Sequence, residues 1–300
     1  MKASIVIPNF NGKKLLEKNL IKVKERAEGE EIIVVDNNSQ DKSIDYIRNN
    51  FPEVKLVEET KEQGFTSSIN SGVDNASGDI VVLLNTDIVP EKGFLNPLKE
   101  HFDDPNVFAV GCLDKSLEKD KIILRGRGLA KFIRGMLIHS RGEVDKKDTF
   151  WVSGGSGAFR KSIWEKLGGM DSLYNPFYYE DIDLSYRAVK SGYKIMFEPR
   201  SVVNHYHEEG AIKKKFSESE IKTIAYRNQF LFVWKNITDP KMLLEHIFWF
   251  PYHLGKAIIK LDTPMLKGFF CALLKIPAVC KRRTENKLTY VLSDKEVIKG

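Results

Sequence analysis

Residues 80–90 read IVVLLNTDIVP. Five consecutive apolar residues, Ile80 to Leu84, leave no polar position, which is the pattern of a strand buried on both faces. The run stops at Asn85, Thr86 and Asp87, so a core strand delivers a carboxylate at its tip. An apolar strand running into a polar turn occurs twice upstream. Residues 4–7 form a short apolar strand that leads into Asn9-Phe10-Asn11, and residues 31–35 form another that leads into Asp36-Asn37-Asn38. Between them, Leu15, Leu16, Leu20 and Val23 recur at helical spacing within 13–27. Residues 41–50 and 65–76 read as further helices, and 54–58 as a strand. Strands alternating with helices predict a parallel sheet with right-handed crossovers. Ligands of such sheets sit beyond the carboxyl ends of the strands, so the three polar turns are expected on one edge.

Beyond Pro90 the alternation weakens. Residues 94–102 read as a helix and 107–112 as a strand. Residues 113–148 are charged and contain glycine, and read as a variable, acceptor-facing loop region. Apolar character resumes over 150–159 around Gly154-Gly155-Ser156-Gly157. Residues 181–191 read as a helix and 193–198 as a strand that ends before Pro199.

The chain has 300 residues, of which 42% are hydrophobic and 29% charged, ordinary for a soluble protein with a sizeable core. Three cysteines, none at Cys-x-x-Cys spacing, indicate neither a disulfide framework nor a zinc site and suit a reducing cytosolic setting. The opening MKASIVIPNF is too short in apolar residues for a signal peptide and reads as a first strand. The net charge of +6 is carried wholly by residues 241–300, where eleven basic residues face five acidic ones. Residues 243–280 are rich in aromatic and aliphatic residues interrupted by Lys256, Lys260, Lys267 and Lys275. They hold no ~20-residue apolar span. They suit helices lying in a bilayer interface, with Lys281-Arg282-Arg283 adding attraction for anionic lipid. The competing reading is a helical cap on the main domain.

Three constellations carry chemistry. Asp36 and Asp87, each at a strand end beside amides and hydroxyls, suit a hard divalent cation, since Mg²⁺ takes only one or two protein carboxylates plus phosphate oxygens. No Gly-x-Gly-x-x-Gly follows the first strand and no Gly-Lys-Ser/Thr loop occurs, so a bound phosphate would depend on a cation for positive charge. In FYYEDIDLSYR (177–187), Glu180, Asp181 and Asp183 cluster at a helix start beside aromatics, where one carboxyl can be pushed upward to suit a general base. In VVNHYHEEG, His205 and His207 share one face of a strand. By themselves they read as satisfied polar residues rather than ligands.

Taken together these stretches resemble glycosyltransferase family 2, inverting nucleotide-sugar enzymes. The matching segments are SIVIPNFNG (4–12), IIVVDNNSQD (32–41), GFTSSINSGVDNASGDIVVLLNTD (64–87), SGGSGAFRKSIWEKLGGMD (153–171), YYEDIDLSYRAVKSGY (179–193) and VVNHYHEEG, in that order. The nearest flavour is the rhamnosyltransferase-like branch. The resemblance implies a GT-A fold, a Rossmann-like α/β architecture with a mostly parallel sheet flanked by helices. The glycosyltransferase domain would span 1–240, with a nucleotide-binding half (1–112) and an acceptor-side half (113–240), followed by a basic amphipathic helical tail (241–300). It implies a UDP- or dTDP-sugar donor, a glycan or lipid-linked acceptor, Mg²⁺ or Mn²⁺, no nucleic-acid partner, and a place at the inner face of the cell membrane with contact through 243–283.

Carried over residue by residue, Pro8, Phe10, Asn11, Asp36, Asn38, Gly64, Asn70, Asn85 and Thr86 would bind the nucleotide, with Asp36 accepting from the base. Asp87 would hold the metal, with His205 a further ligand and His207 the less favoured one. Asp181 would be the general base, supported by Glu180. Two departures stand out: Asn85-Thr86 precedes the metal aspartate where the family usually has Asp or Asn-Pro, and Glu62-Gln63-Gly64-Phe65-Thr66 replaces Asn-x-Gly-Phe-Ala. A nucleotide-sugar-binding or nucleotidyltransferase-like protein without glycosyl transfer is the alternative, and PNFNGKK is a poor match to the basic Gly-rich loop the latter needs.

Overall fold

A computed structural model describes residues 1–118, 121–206 and 215–298. The first half alternates β1 (Ala3–Asn9), α1 (Lys13–Arg26), β2 (Glu31–Asp36), α2 (Ser43–Asn50), β3 (Lys55–Glu58), α3 (Phe65–Asp74) and β4 (Ile80–Leu84). The short β5 (Ile88–Pro90), α4 (Leu95–His101) and the long β6 (Val107–Glu118) follow. β1, β2, β3 and β4 are parallel, in the order β3-β2-β1-β4. Every residue of β4 is buried, as its unbroken apolar run requires. The α1 face that packs on the sheet is Leu15, Leu16, Leu20 and Val23, the set its spacing selects.

The parallel pattern does not persist. β10 (Ser156–Arg160) inserts antiparallel between β4 and β6, and β11 (Lys194–His205) pairs parallel with β6 and antiparallel with β5. The sheet is therefore mixed beyond β4, with nine strands among the described residues. Residues 113–148 are not a loop region. They hold the distal half of β6, then β7 (Lys121–Arg125), which pairs with β6, and the hairpin β8 (Gly128–Ile133) with β9 (Met136–Arg141). β11 runs through Pro199 to His205, with its register on β6 shifting between Glu198 and Val202. That shift absorbs the proline, which a regular central strand would exclude.

α5 (Lys161–Leu167) and α6 (Glu180–Lys190) cover the sheet near β10. Then come α7 (Glu218–Asn236), α8 (Pro240–Ile259), α9 (Thr263–Leu273), α10 (Ile276–Lys287) and the single turn α11 (Asp294–Val297). One apolar cluster joins Tyr179, Ile182 and Tyr186 to Phe230, Phe232 and Val233 of α7, and to Ala257, Met265, Ala272, Val279 and Val297. Residues on both sides of position 240 thus share one interior. Asp294 seals it: its carboxylate accepts from Lys190, from the Tyr186 hydroxyl and from the backbone N–H groups of Thr238 and Asp239. No single helix among the described residues is long and apolar enough to cross a membrane.

Candidate active site

β1 and β2 end side by side, with Asn9 opposite Asp36. Asn9 Nδ2 donates to Asp36 Oδ2 at 2.7 Å, and the Ser39 N–H donates to Asp36 Oδ1 at 2.8 Å. Asp36 is 0% exposed. Both its oxygens are engaged by the protein itself, so Asp36 braces the turn. Asn11 extends the brace: its N–H donates to Ser39 Oγ at 2.8 Å, and its Oδ1 accepts from the Gln40 N–H at 2.7 Å. Asn11 and Asn38 both have φ near +50 to +60° and are exposed. Asn tolerates that left-handed backbone better than most side chains. Pro8 and Phe10 are half-buried on the same rim, and Lys215 Nζ lies 4.5 Å from the Phe10 ring centroid. A cation over an aromatic face is favourable.

Beside this rim is the β4 tip. Asn85 N–H donates to the Gly155 carbonyl at 3.0 Å, and a side chain at Gly155 would collide with the Asn85 amide. The Thr86 carbonyl accepts from Asn19 Nδ2 at 2.8 Å. Asp87 is 7% exposed. Its Oδ2 lies 3.5 Å from His205 Nε2, and on the far side of the ring Nδ1 meets Asp114 Oδ2 at 2.7 Å. Burial works against charge on that ring, but the hydrogen bond to Asp114 and the Asp87 carboxylate beside Nε2 carry its pKa up to about 9. Asp114 lies in the stretch expected to be loop and has no counterpart among the expected site residues. Its signal was present only as strand alternation through β6. His207 lies outside the described residues.

The acidic cluster closes the same edge. Gly154, next to Gly155, donates its N–H to Asp181 Oδ2 at 3.4 Å. Asp181 and the β4 tip are thereby linked through two adjacent glycines. Burial raises the pKa of Asp181 despite hydrogen bonds from Ile182 and Gly154 that oppose the rise. Glu180 is raised well above the usual carboxylate range, by burial and then by the neighbouring Asp181 charge. Its Oε2 is buried without a partner among the described residues, which a neutral acid tolerates better than a carboxylate. Asp183 behaves oppositely. Burial would raise it, but Lys235 and Arg187 hold it well below the usual range, so it is a structural anion.

Tyr178 and Tyr179, which lead into Glu180, both have positive φ. Each costs roughly 1–3 kcal/mol. The buried Asn228 of α7 holds them: its Nδ2 lies 3.0, 2.9 and 2.8 Å from the carbonyls of Tyr174, Phe177 and Tyr178.

Gly64 and Asn70 sit on the α3 side. Gly64 caps α3 at φ +89° against the Asn175 side chain, where a Cβ would be 3.0 Å away. Asn70 is bound to the Met170 backbone, donating at 2.8 Å and accepting at 3.0 Å. It lines a separate open groove of about 710 Å³ between α3, the 167–172 turn and α10. The structure therefore gathers Asp87, His205, Asn85, Thr86, Glu180 and Asp181 with the Asp36 rim on one edge, and leaves Asn70 apart.

The order of the strands, the carboxylates at their tips and the glycine bridge define an α/β fold with a polar, acidic site at the carboxyl edge of its parallel strands. Residues 4–168 match the family model described as glycosyl transferase family 2, and the chain belongs to that family. It is 24% identical over 214 residues to a pre-mycofactocin glycosyltransferase of Mycobacterium tuberculosis, covering 68% of this chain and 42% of that one. It therefore spans less than half the length of that relative. It is 24% identical over 245 residues to a Methanococcus voltae dolichyl N-acetyl-alpha-D-glucosaminyl phosphate 3-beta-D-2,3-diacetamido-2,3-dideoxy-beta-D-glucuronosyltransferase, covering 74% of this chain and 71% of the relative. The crystal structure of GalNAc-T7 with UDP, GalNAc and Mn²⁺ superposes with a TM-score of 0.65 at 18% identity, over 80% of this chain and 48% of that one. The fold is GT-A.

The donor set fits a divalent cation. Asp87 and His205 offer a hard oxygen and an imidazole nitrogen 3.5 Å apart at a nearly buried edge. No group of three or more His, Cys, Asp or Glu among the described residues is arranged to hold a metal alone. The remaining ligands would be phosphate oxygens and water.

Proposed function

We propose that the chain moves a sugar from a UDP- or dTDP-linked donor to a hydroxyl of a glycan or lipid-linked glycan, with inversion at the anomeric carbon. The observation that supports this is the link from the β4 tip at Asn85 through Gly155 and Gly154 to Asp181, which puts the Asp87 and Asp181 carboxylates on one edge. Asp181, raised by burial, takes the proton of the acceptor hydroxyl as that oxygen attacks. Glu180, its pKa raised well above the usual range by burial and then by the Asp181 charge, resists a second negative charge there. The cation, when bound to Asp87 and His205, supplies charge stabilisation for the departing diphosphate. The imidazole donor favours Mn²⁺ over Mg²⁺. The Phe10 rim would receive the base, with Lys215 displaced from the ring. A thermal-shift panel of nucleotide diphosphates with Mn²⁺, followed by sugar release from the best-binding donor, tests the reading. No stabilisation by any nucleotide diphosphate would sink it.

The lipid-linked side of this proposal draws on α8. Leu244, Ile247, Phe248, Pro251, Tyr252, Ile258 and Ile259 form an exposed stripe at helical spacing, with Phe248 75% and Ile259 84% exposed. The opposite face caps the domain through His246 and Ala257. Lys256 and Lys260 flank the stripe, and Arg134 of the β8–β9 turn stacks on Trp249 and Tyr252. The one acid in α8, Glu245, is turned inward to the Gly135 N–H. An apolar stripe edged with cations and lacking exposed carboxylates suits an anionic bilayer surface.

A further inference from the structure

We propose that Asp114 is a positioning residue of the cation site: it fixes the His205 imidazole so that Nε2 is the nitrogen presented to Asp87 and a bound cation. This rests on the proposed roles of Asp87 and His205 as ligands.

The topology forces the three side chains together. β11 lies between β5 and β6, with His205 opposite Ile88 on one side and Ser116 on the other. Asp87 immediately precedes β5, and Asp114 lies two residues before Ser116 on β6. The imidazole is therefore flanked by a carboxylate on each side. Its two nitrogens are not equivalent there: Nδ1 is at hydrogen-bonding distance from Asp114, 2.7 Å, while Nε2 stands 3.5 Å from Asp87.

Asp114 is itself held. It is 6% exposed, and its other oxygen accepts from Ser116 Oγ at 2.8 Å. A carboxylate engaged at both oxygens does not turn to become a ligand without losing a partner. It can receive the Nδ1 proton, which is what a ring ligating through Nε2 must retain. A carboxylate behind a ligating histidine sets the tautomer, orients the ring and raises its basicity.

Mn²⁺ titrated calorimetrically into the full chain with UDP, with pulsed electron paramagnetic resonance on the same samples, tests this. The wild-type chain is expected to show nitrogen modulation from a coordinated imidazole. Asp114→Ala is expected to weaken Mn²⁺ roughly 10- to 100-fold and to lose that modulation. Asp114→Asn, which keeps an acceptor for Nδ1–H, is expected to retain the modulation with an affinity loss of several-fold, and it decides the matter if the alanine variant does not fold. Unchanged affinity in Asp114→Asn together with unchanged affinity and modulation in Asp114→Ala, or in the asparagine variant alone if only that folds, overturns the positioning role while leaving His205 as a ligand. Mn²⁺ bound by the wild-type chain without nitrogen modulation overturns both.

Discussion

The side-chain amide of Asn228, in the middle of α7, donates to the carbonyl of Tyr178 at 2.8 Å, fifty residues upstream. That contact ties the start of α6, and with it Glu180 and Asp181, to a helix far along the chain. Asn228→Ala is expected to lower stability by about 1–3 kcal/mol, the cost of leaving buried carbonyls unpaired. It should also reduce turnover more than donor affinity. Urea denaturation and steady-state kinetics check both, and an unchanged kcat would show that the turn holds itself.

Asp181→Asn keeps the size and one of the two acceptors that meet the Gly154 and Ile182 N–H groups, but removes the base. Turnover is expected to fall by roughly 10²- to 10⁴-fold, with donor affinity in the presence of Mn²⁺ unchanged. Calorimetry beside a transfer assay separates the two, and wild-type turnover would remove Asp181 from the mechanism.

Asp87→Ala removes the carboxylate donor for the cation. Donor binding in the presence of Mn²⁺ is expected to drop to the level measured with a chelator, and the variant's affinity should no longer respond to the metal. A variant that still binds donor more tightly with Mn²⁺ than without it would place the cation elsewhere.

Glu198 gives a pH signature away from the site. Burial would raise its pKa, but hydrogen bonds from Arg200 and His101 bring it down to about 2. Its folded pKa lies below the ~4.3 of an unfolded glutamate. Its contribution is therefore present above that value and is lost as pH falls towards about 2. Glu198→Gln should be less stable than wild type at neutral pH, and the gap should close between roughly pH 5 and pH 2. A gap that stays constant across that range in denaturation series would contradict the linkage.

Phe248→Glu combined with Ile259→Glu places carboxylates on the exposed stripe of α8. Sedimentation with phosphatidylglycerol-containing vesicles is expected to fall roughly tenfold or more, with the thermal midpoint and Mn²⁺-dependent donor binding unchanged. The full chain is needed, because the C-terminal helices share their interior with α6 and α7. Equal vesicle binding by the variant, or none by the wild type, would remove the membrane from the proposal without touching sugar transfer.

The first four strands and their helices were legible because each strand is an unbroken apolar run and each helix keeps its period. Residues 113–148 were not, because their strands lie at edges. β8 alternates buried and exposed residues, and β7 carries charge and is largely exposed, so their composition resembles loop. The aromatic stretch after residue 240 supported two readings, interface and cap, and α8 has a face suited to each. Asp87 and Asp181 stood out beside recognisable runs, whereas His205 by itself read as a satisfied polar residue. Asp114 and Asn228 did not stand out, since a single polar residue inside a strand or helix has no local signature of what it will meet.

The sequence by itself determined the strands that end in carboxylates, the acidic start of α6 and the basic, aromatic end of the chain, because periodicity and turn chemistry act over a few residues. Only the tertiary structure decided that β10 slips antiparallel between β4 and β6, that Asp36 is engaged by its own turn, and that Asp114 lies behind a histidine 91 residues away. Strand order and side-chain pairing depend on which buried faces pack together, and that is settled by the whole core at once rather than by any segment alone.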